Sequence, residues 1–471
     1  MKKLLIPVDN LSALVVHASE LARAGDGLGR PLLEGPPGPE RTDQLASETR
    51  PIAEELEIPD SVSVDAISND AYDDVNSNDI FSKAYNFPLI RQAKAFNLYP
   101  FFRALEMNEG PEVIIDGRRV LMLGSNNYLG LTRHPRVVAA ARDAVETYGT
   151  SMTGSRLLNG TTKLHERLEE MLAAFFGYEA VVTFTTGYQA NIGAISALVN
   201  KRAAAVVDKA DHASIYDGCK LADGDMYRFR HNDVEHLEQI LAAVATKRPT
   251  LVVVDGVFSM GGDICPLPEV AATCKRYGAR LLVDDAHAVG VLGRGGRGTA
   301  SHFGIEKEVD LMFGTFSKSL ASIGGFIAGP AEVVDWIRHF ARSGLFSASM
   351  APSAVVAAMT ALEVLMEEPE LVDRVNANGK LLRDGLKSAG FDIGQSETPI
   401  VPIVIGEEVK MVTFWKQLLA GGVYTNAVVF PAVPRGGGIL LTSCMATHTP
   451  EQINRAVELM GELGRKHGVI S

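Results

Sequence analysis

Cysteine is scarce in this chain of 471 residues: Cys219, Cys265, Cys274 and Cys444 are the only ones. None forms a C-x-x-C pair, and so few cannot frame a chain this long with disulfides. They are read as small buried apolar groups, and a reducing cytoplasm is the expected setting. Positive charge is also short. Lys and Arg number 45 against 57 Asp and Glu, for a net charge of −12 and a pI of about 5.5. Sequence-independent nucleic-acid binding needs clustered cations to neutralise phosphates, so that class is excluded. No apolar run reaches the roughly eighteen residues that a membrane-spanning helix needs. The opening MKKLLIPVDNLSALVV sets two lysines before an apolar stretch. Asp9 and Asn10 interrupt it and no small-residue cleavage site follows, so no signal peptide is expected. No metal site is expected either.

What the chain does have is 46% hydrophobic residues, enough for a large core and two or three domains. Residues 18–80 stand apart, with 15 Asp or Glu against 4 Lys or Arg, a GPPGP turn and weak hydrophobic periodicity. They read as an acidic, partly disordered extension, assigned to residues 1–85. It is expected either to solubilise the chain or to dock a partner. Globular sequence follows, divided into residues 86–350 and a smaller C-terminal α+β domain, 351–471.

AVVTF (180–184), AAAVVD (203–208), MYRFR (226–230), TLVVVDG (250–256), RLLVDDA (280–286), VDLMFG (309–314) and GGFIAG (324–329) are short apolar runs without alternation. That pattern predicts strands buried on both faces. Amphipathic stretches such as HLEQILAAVA (236–245) and LPEVAATCKRYG (267–278) lie between them, the second closing on Gly278 as its C-cap. Alternating strand and helix predicts an α/β fold with a mostly parallel, seven-stranded sheet. Near the C-terminus, Thr449-Pro450-Glu451-Gln452 predicts a capping box.

Ligands of open parallel sheets bind beyond the carboxyl ends of the strands. Five predicted strands end in polar groups there: Thr186, Gly187 and Tyr188; His212; Ser259; Asp284 and His287; Thr315, Ser317 and Lys318. Together they suit a phosphorylated aromatic aldehyde. Lys318, in GTFSKS, is placed to form a Schiff base. Thr186, Gly187 and Tyr188 at a helix start offer N–H groups to a phosphate, with Thr315 and Ser317 adding hydroxyls. Asp284 is expected to keep a ring nitrogen protonated. His287 is expected to reach a phenolic oxygen, and His212 to lie on the ring face. His134, His165, His231, His302 and His448 are read as structural. Gly293-x-Gly295-x-x-Gly298 matches a dinucleotide fingerprint, but it does not join a strand to a helix and is read as a glycine loop.

The ordered set SNNYLGL (125–131), TTGYQAN (185–191), DHASIYDG (211–218), GVFSMGGDICPL (256–267), VDDAHAVGVLGRGGRG (283–298), GTFSKS (314–319) and FSASMAPS (346–353) resembles the α-oxoamine synthases. These are fold-type I pyridoxal 5'-phosphate transferases that join an amino acid to an acyl thioester with loss of carbon dioxide. The likeness covers roughly residues 87–468. TGSRLLNGT (153–161), RFRHN (228–232) and MATHTPEQI (445–453) are most similar to soluble bacterial serine palmitoyltransferases.

The resemblance implies Lys318 as the Schiff-base lysine, Asp284 on the pyridine nitrogen, His287 on the phenolic oxygen and His212 stacked on the ring. It also implies Gly187, Tyr188, Thr315 and Ser317 on the phosphate, and Asn126 near the substrate. Ala348 would reach the phosphate of a neighbouring subunit in a homodimer with sites at the interface. The substrates implied are an amino acid, L-serine first, and a long-chain acyl-CoA or acyl-carrier thioester. Peripheral contact with a membrane stays open. Related synthases using alanine or glycine, and a non-catalytic partner subunit, are the alternatives. One departure stands out. The arginine by which the family grips the amino-acid carboxylate is replaced by Leu441, and Arg435 is the candidate substitute. The acyl chain length, the thioester carrier and the role of the acidic extension stay open.

Overall fold

The computed structural model describes residues 79–85, 88–430 and 432–471, so the acidic extension lies almost wholly outside the described residues. The first strands are short: β1 (Met107–Asn108), β2 (Glu112–Ile115) and β3 (Arg118–Met122). The next seven are β4 (Ala180–Phe184), β5 (Ala204–Asp208), β6 (Asp225–Phe229), β7 (Thr250–Asp255), β8 (Arg280–Asp284), β9 (Leu311–Thr315) and β10 (Gly325–Gly329). They form one sheet in the order β4-β10-β9-β8-β7-β5-β6. β10 alone runs against its neighbours, and the other pairings are parallel. The seven predicted apolar runs are these seven strands, with ends moved by one or two residues.

The apolar runs arise because both faces are covered. Leu251 and Val253 of β7 join the cluster under the helices Gly187–Leu198 and Ala331–Phe340. Val252 and Val254, pointing the other way, join the cluster under Val234–Val244 and Leu267–Tyr277. A side chain of this kind contributes about 1.5–3 kcal/mol when fully buried. A strand with two such faces has no place for a polar alternation, so polar residues collect at its ends.

The later strands are β11 (Ile400–Gly406), β12 (Val423–Tyr424), β13 (Asn426–Val428) and β14 (Gly438–Ser443). β11, β14 and β13 make an antiparallel sheet. β12 pairs in parallel with β3, so the arm before residue 123 hydrogen-bonds to a strand beyond residue 420. That pairing crosses the division at 350 expected from composition, because Leu121 and Val423 meet in register far apart in sequence. The last helix, Pro450–Lys466, opens with the predicted capping box: Thr449 Oγ1 accepts from Gln452 N–H, and the Gln452 side chain accepts from Thr449 N–H. Gly278 sits in the left-handed C-cap conformation, and all four cysteines are buried.

Candidate active site

β5, β7, β8 and β9 point their carboxyl ends at one cavity of about 310 Å³. Thr186, Gly187, Tyr188, His212, Asp284, His287, Thr315, Ser317 and Lys318 line it, as the strand-end reading expected. Asn191, Ser214 and Asp255, not anticipated, line it too. A second cavity of about 500 Å³ shares Ser317, Lys318 and Ile323 with the first and adds Ser125, Asn126 and Asn127. Lys318 therefore stands in the wall between two spaces.

The turn carrying Lys318 is held from below. Phe316 is fully buried and stacks on Phe326, with centroids 5.6 Å apart. Phe316 N–H donates to Gly324 O at 3.0 Å, and Thr315 Oγ1 donates to the same oxygen at 2.9 Å. Burial pulls the Lys318 ammonium down to about 8, against the pull of Asp284 and Asp255. An amine titrating there is a usable nucleophile and base near neutral pH, which a solvated lysine is not.

Asp284 lies at the end of β8 and is 3% exposed. Asn191 Nδ2 donates to its Oδ2 at 2.7 Å, and Ala286 N–H donates to its Oδ1 at 2.9 Å. Burial raises this carboxyl, while Lys318, Ala286 and Asn191 draw it back toward the anion. His287, three residues on, has Nδ1 2.7 Å from the Tyr128 hydroxyl. Burial and the nearby Lys318 charge hold its imidazole neutral, far below the usual histidine range. His212 caps the helix Ala213–Leu221, with Nδ1 2.8 Å from Ser214 Oγ. Burial lowers its pKa as well.

The opposite end of the cavity is a helix N-terminus. Thr186 caps Gly187–Leu198 by accepting Gln189 N–H at 3.2 Å. The backbone approaches so closely here that side chains are barred. A Cβ on Gly325 would sit 2.6 Å from Gly187 Cα, and one on Gly187 would sit 2.8 Å from Thr315 Oγ1. Thr315 and Ser317 hydroxyls stand 2.9 Å apart beside it. Free N–H groups and two hydroxyls at a helix start make an anion cradle.

Two expected residues lie elsewhere, and Ala348, expected at the phosphate of a neighbouring subunit, is not among the lining residues of this cavity. Ser259 does not line the cavity, because the turn after β7 folds back on itself: Gly262 N–H donates to Phe258 O at 2.8 Å, leaving Ser259 at the tip. Ala348 lies on the surface, its carbonyl accepting from Thr185 Oγ1. Arg435 lines none of the cavities described and lies over the Phe430 ring, 4.5 Å from its centroid. Leu441, on β14 opposite Pro402 and Asn426, is a half-buried apolar side chain. A third cavity of about 260 Å³ shares Ser125, Asn127 and Thr132 with the second, and Arg103 lines it. Two of the histidines read as structural are held by polar partners. His231 bridges Asp208 and Asp263 at 3.0 Å each, and His165 closes a capping box with Thr162. The glycine loop packs on Asp285, where a Cβ on Gly298 would sit 2.1 Å from Oδ2.

A depressed lysine, a buried carboxylate, a neutral imidazole and an anion cradle around one flat space fit a phosphorylated pyridine aldehyde, and they define a pyridoxal-phosphate enzyme of fold type I. The chain matches the aminotransferase class I and II family over residues 118–460. It is 47% identical to a serine palmitoyltransferase of Sphingobacterium spiritivorum across 80% of this chain and 94% of the relative. It is 41% identical to an 8-amino-7-oxononanoate synthase of Thermoanaerobacter pseudethanolicus across 81% and 97%. A solved serine palmitoyltransferase from S. paucimobilis, holding pyridoxal phosphate joined to myriocin, superimposes with a TM-score of 0.80 at 38% identity, covering 83% of this chain and all of that one. The chain belongs to the α-oxoamine synthases of the aminotransferase class I and II family, and is a pyridoxal-phosphate-dependent acyltransferase. Among the described residues no helix is long and apolar enough to cross a membrane.

Proposed function

We propose that this enzyme condenses L-serine with a long-chain acyl-CoA, with loss of carbon dioxide, to give the 3-keto amine 3-ketodihydrosphingosine, the first step of sphingolipid synthesis. The observation that carries the reading is the position of Lys318 between a cofactor-sized cavity and a second, roomier one, in a chain 47% identical to a serine palmitoyltransferase. Bound pyridoxal phosphate supplies an electron sink for negative charge at the substrate α-carbon. The residues of the chain do the rest. Gly187, Tyr188, Thr315 and Ser317 hold the phosphate. Asp284 keeps the ring nitrogen protonated, with Asn191 and Ala286 N–H keeping Asp284 anionic. His212 packs on the ring face and polarises the incoming thioester carbonyl. Tyr128, donating to His287 Nδ1, selects the tautomer that leaves Nε2 a donor for an anionic oxygen. Lys318 would hold the cofactor and, with its amine free, would take the α-proton at Nζ.

Asn126 lines the second cavity, where the amino acid is expected. Arg103 is preferred to Arg435 as the cation for its carboxylate, because it lines a cavity that shares Ser125, Asn127 and Thr132 with that space, whereas Arg435 lines neither. The homodimer, with Ala348 reaching the partner's site, belongs to the same proposal, and sedimentation of the purified enzyme tests it.

The second reading is an oxoamine synthase of the 8-amino-7-oxononanoate or 2-amino-3-ketobutyrate type, supported by the 41% identity above. Product analysis with serine, alanine and glycine against short and long acyl-CoA separates the readings. Turnover confined to alanine or glycine overturns the serine assignment. Lys318→Ala separates both from a non-catalytic subunit, since it removes the absorbance of lysine-bound cofactor only if Lys318 holds it.

A further inference from the structure

The β7–β8 register sets a second carboxylate residue, Asp255, beside Asp284. Both are 3% exposed, and both line the cavity with Lys318. Their situations differ. Each Asp284 oxygen accepts a hydrogen bond, from Asn191 and from Ala286. Asp255 is anchored through its backbone, whose N–H donates to Asp211 Oδ1 at 2.9 Å; burial and the neighbouring Asp284 and Asp211 raise its carboxyl well above the usual carboxylate range, while Lys318 and the backbone N–H of His212 draw it back toward the anion. Its Oδ1 is buried with no hydrogen-bond partner among the described residues. A buried carboxyl oxygen without a partner is unfavourable unless something in the cavity meets it. Five ionisable groups surround it: Asp284 at the end of β8 and His287 beyond it, Asp211 and His212 before the helix Ala213–Leu221, and Lys318 after β9. Both histidines are held neutral, which leaves Lys318 as the cation.

We propose that Asp255 is a positioning residue for Lys318, its free Oδ1 accepting from the ammonium that forms when Nζ takes the substrate proton. The proton passes from the α-carbon to Nζ and later leaves Nζ, and Asp255 gains and loses none. The acid thus sets where the lysine waits between proton uptake and release, while Asp284 serves the ring nitrogen. Asp211 has a supporting part, fixing the backbone of both Asp208 and Asp255.

The inference rests on Lys318 being the cofactor lysine, and the experiment separates the two. In purified holoenzyme, Asp255→Asn keeps the shape and removes the charge. A cation beside one fewer anion loses its proton more readily, so the apparent pKa of the lysine-bound cofactor's absorbance should fall by about one unit, a tenfold change. The pH at which the apoenzyme captures pyridoxal phosphate most rapidly should fall with it. The kcat should drop roughly tenfold or more with KM for both substrates within about threefold. Asp255→Glu, which keeps the charge, should titrate within about half a unit of wild type. An Asp255→Asn titration like wild type, a loss confined to KM, or Asp255→Glu behaving like Asp255→Ala overturns the inference. If Lys318→Ala retains the absorbance, the assignment of Lys318 itself fails instead.

Discussion

Asn191 offers the sharpest test of how the site keeps Asp284 charged. It lies one helical turn beyond Gly187, is fully buried, and donates to Asp284 Oδ2 at 2.7 Å and to Ser214 Oγ at 3.0 Å. Burial pushes Asp284 toward its neutral form, and the Asn191 bond opposes that push. Asn191→Ala removes one of its two hydrogen bonds. A hydrogen bond to a charged group is worth about 1.5–3 kcal/mol, and each 1.4 kcal/mol is a factor of ten. A carboxyl that protonates in the empty site must be re-ionised to serve the ring nitrogen. The equilibrium constant for cofactor binding should therefore weaken by roughly 10- to 100-fold. Titration of apoenzyme with pyridoxal phosphate, followed by absorbance, measures it. The deficit should narrow as pH rises, because alkali restores the anion without help from the amide. A folded Asn191→Ala enzyme that binds the cofactor within twofold of wild type at pH 7 would refute the reasoning.

Tyr128→Phe removes the hydroxyl 2.7 Å from His287 Nδ1 and leaves that nitrogen buried, a loss of about 1–3 kcal/mol. A tenfold fall in kcat/KM with a displaced pH profile is expected, and an unchanged profile counts against the tautomer argument. Gly325→Ala drives a Cβ within 2.6 Å of Gly187 Cα, backbone that cannot turn aside, and should destabilise the fold by about 1–3 kcal/mol and loosen the phosphate end. Thermal melting with and without cofactor checks both effects. Arg103→Gln should raise KM for the amino acid about tenfold or more while the cofactor spectrum and kcat hold, if its charge serves the substrate carboxylate. His165 and His448, both buried, are lowered to about 4 from the ordinary 6.5. The unfolded chain binds their protons more readily, so the stability they lend is complete above pH 6.5 and lost as pH falls toward 4. Melting between pH 7.5 and 4.5 should show the loss, and replacing both histidines by Asn should flatten the slope there.

The central sheet was legible because burial on both faces forces an uninterrupted apolar run, and a run such as TLVVVD has few other uses. The lysine, the histidines and Asp284 were legible for a related reason: a polar residue directly after such a run has little else to do but line the strand ends. Asn191 was in view within TTGYQAN. Its position four residues after Gly187 puts it on the helix face turned to the strands, a signal that spacing alone carried. Asp255 was hidden because it closes an apolar run and reads as the strand's last polar residue. Its meaning comes from a neighbour 29 residues on, through the β7–β8 register. Ser259 was misplaced by the same rule that found the others, since the rule assumes the chain leaves the sheet outward, whereas VFSMGGD turns back through the Val257–Ile264 bridge.

The pairing of β3 with β12 bears on the missing arginine. Composition along the chain shows where strands begin, but not that residues 121–122 and 423–424 share one sheet. Tyr424 of that sheet and Asn426 of β13 line one cavity with Arg103, a residue from the arm. On the same side, Asn426 is the register partner of Leu441, and its amide donates to Gly124 O at 2.7 Å. Leu441 itself is half-buried against the core and lines none of the cavities described. Replacing a cation there by leucine removes a charge whose burial must be offset by a partner. On the proposed reading the positive group comes from the arm, as Arg103, which pairs with Asp116 at the surface. A clamp assembled from the arm depends on the β3–β12 pairing to place it. On that reading the short parallel pairing, remote from the cofactor in sequence, bears on substrate affinity, while the strands that carry Lys318 and Asp284 bear on the chemistry.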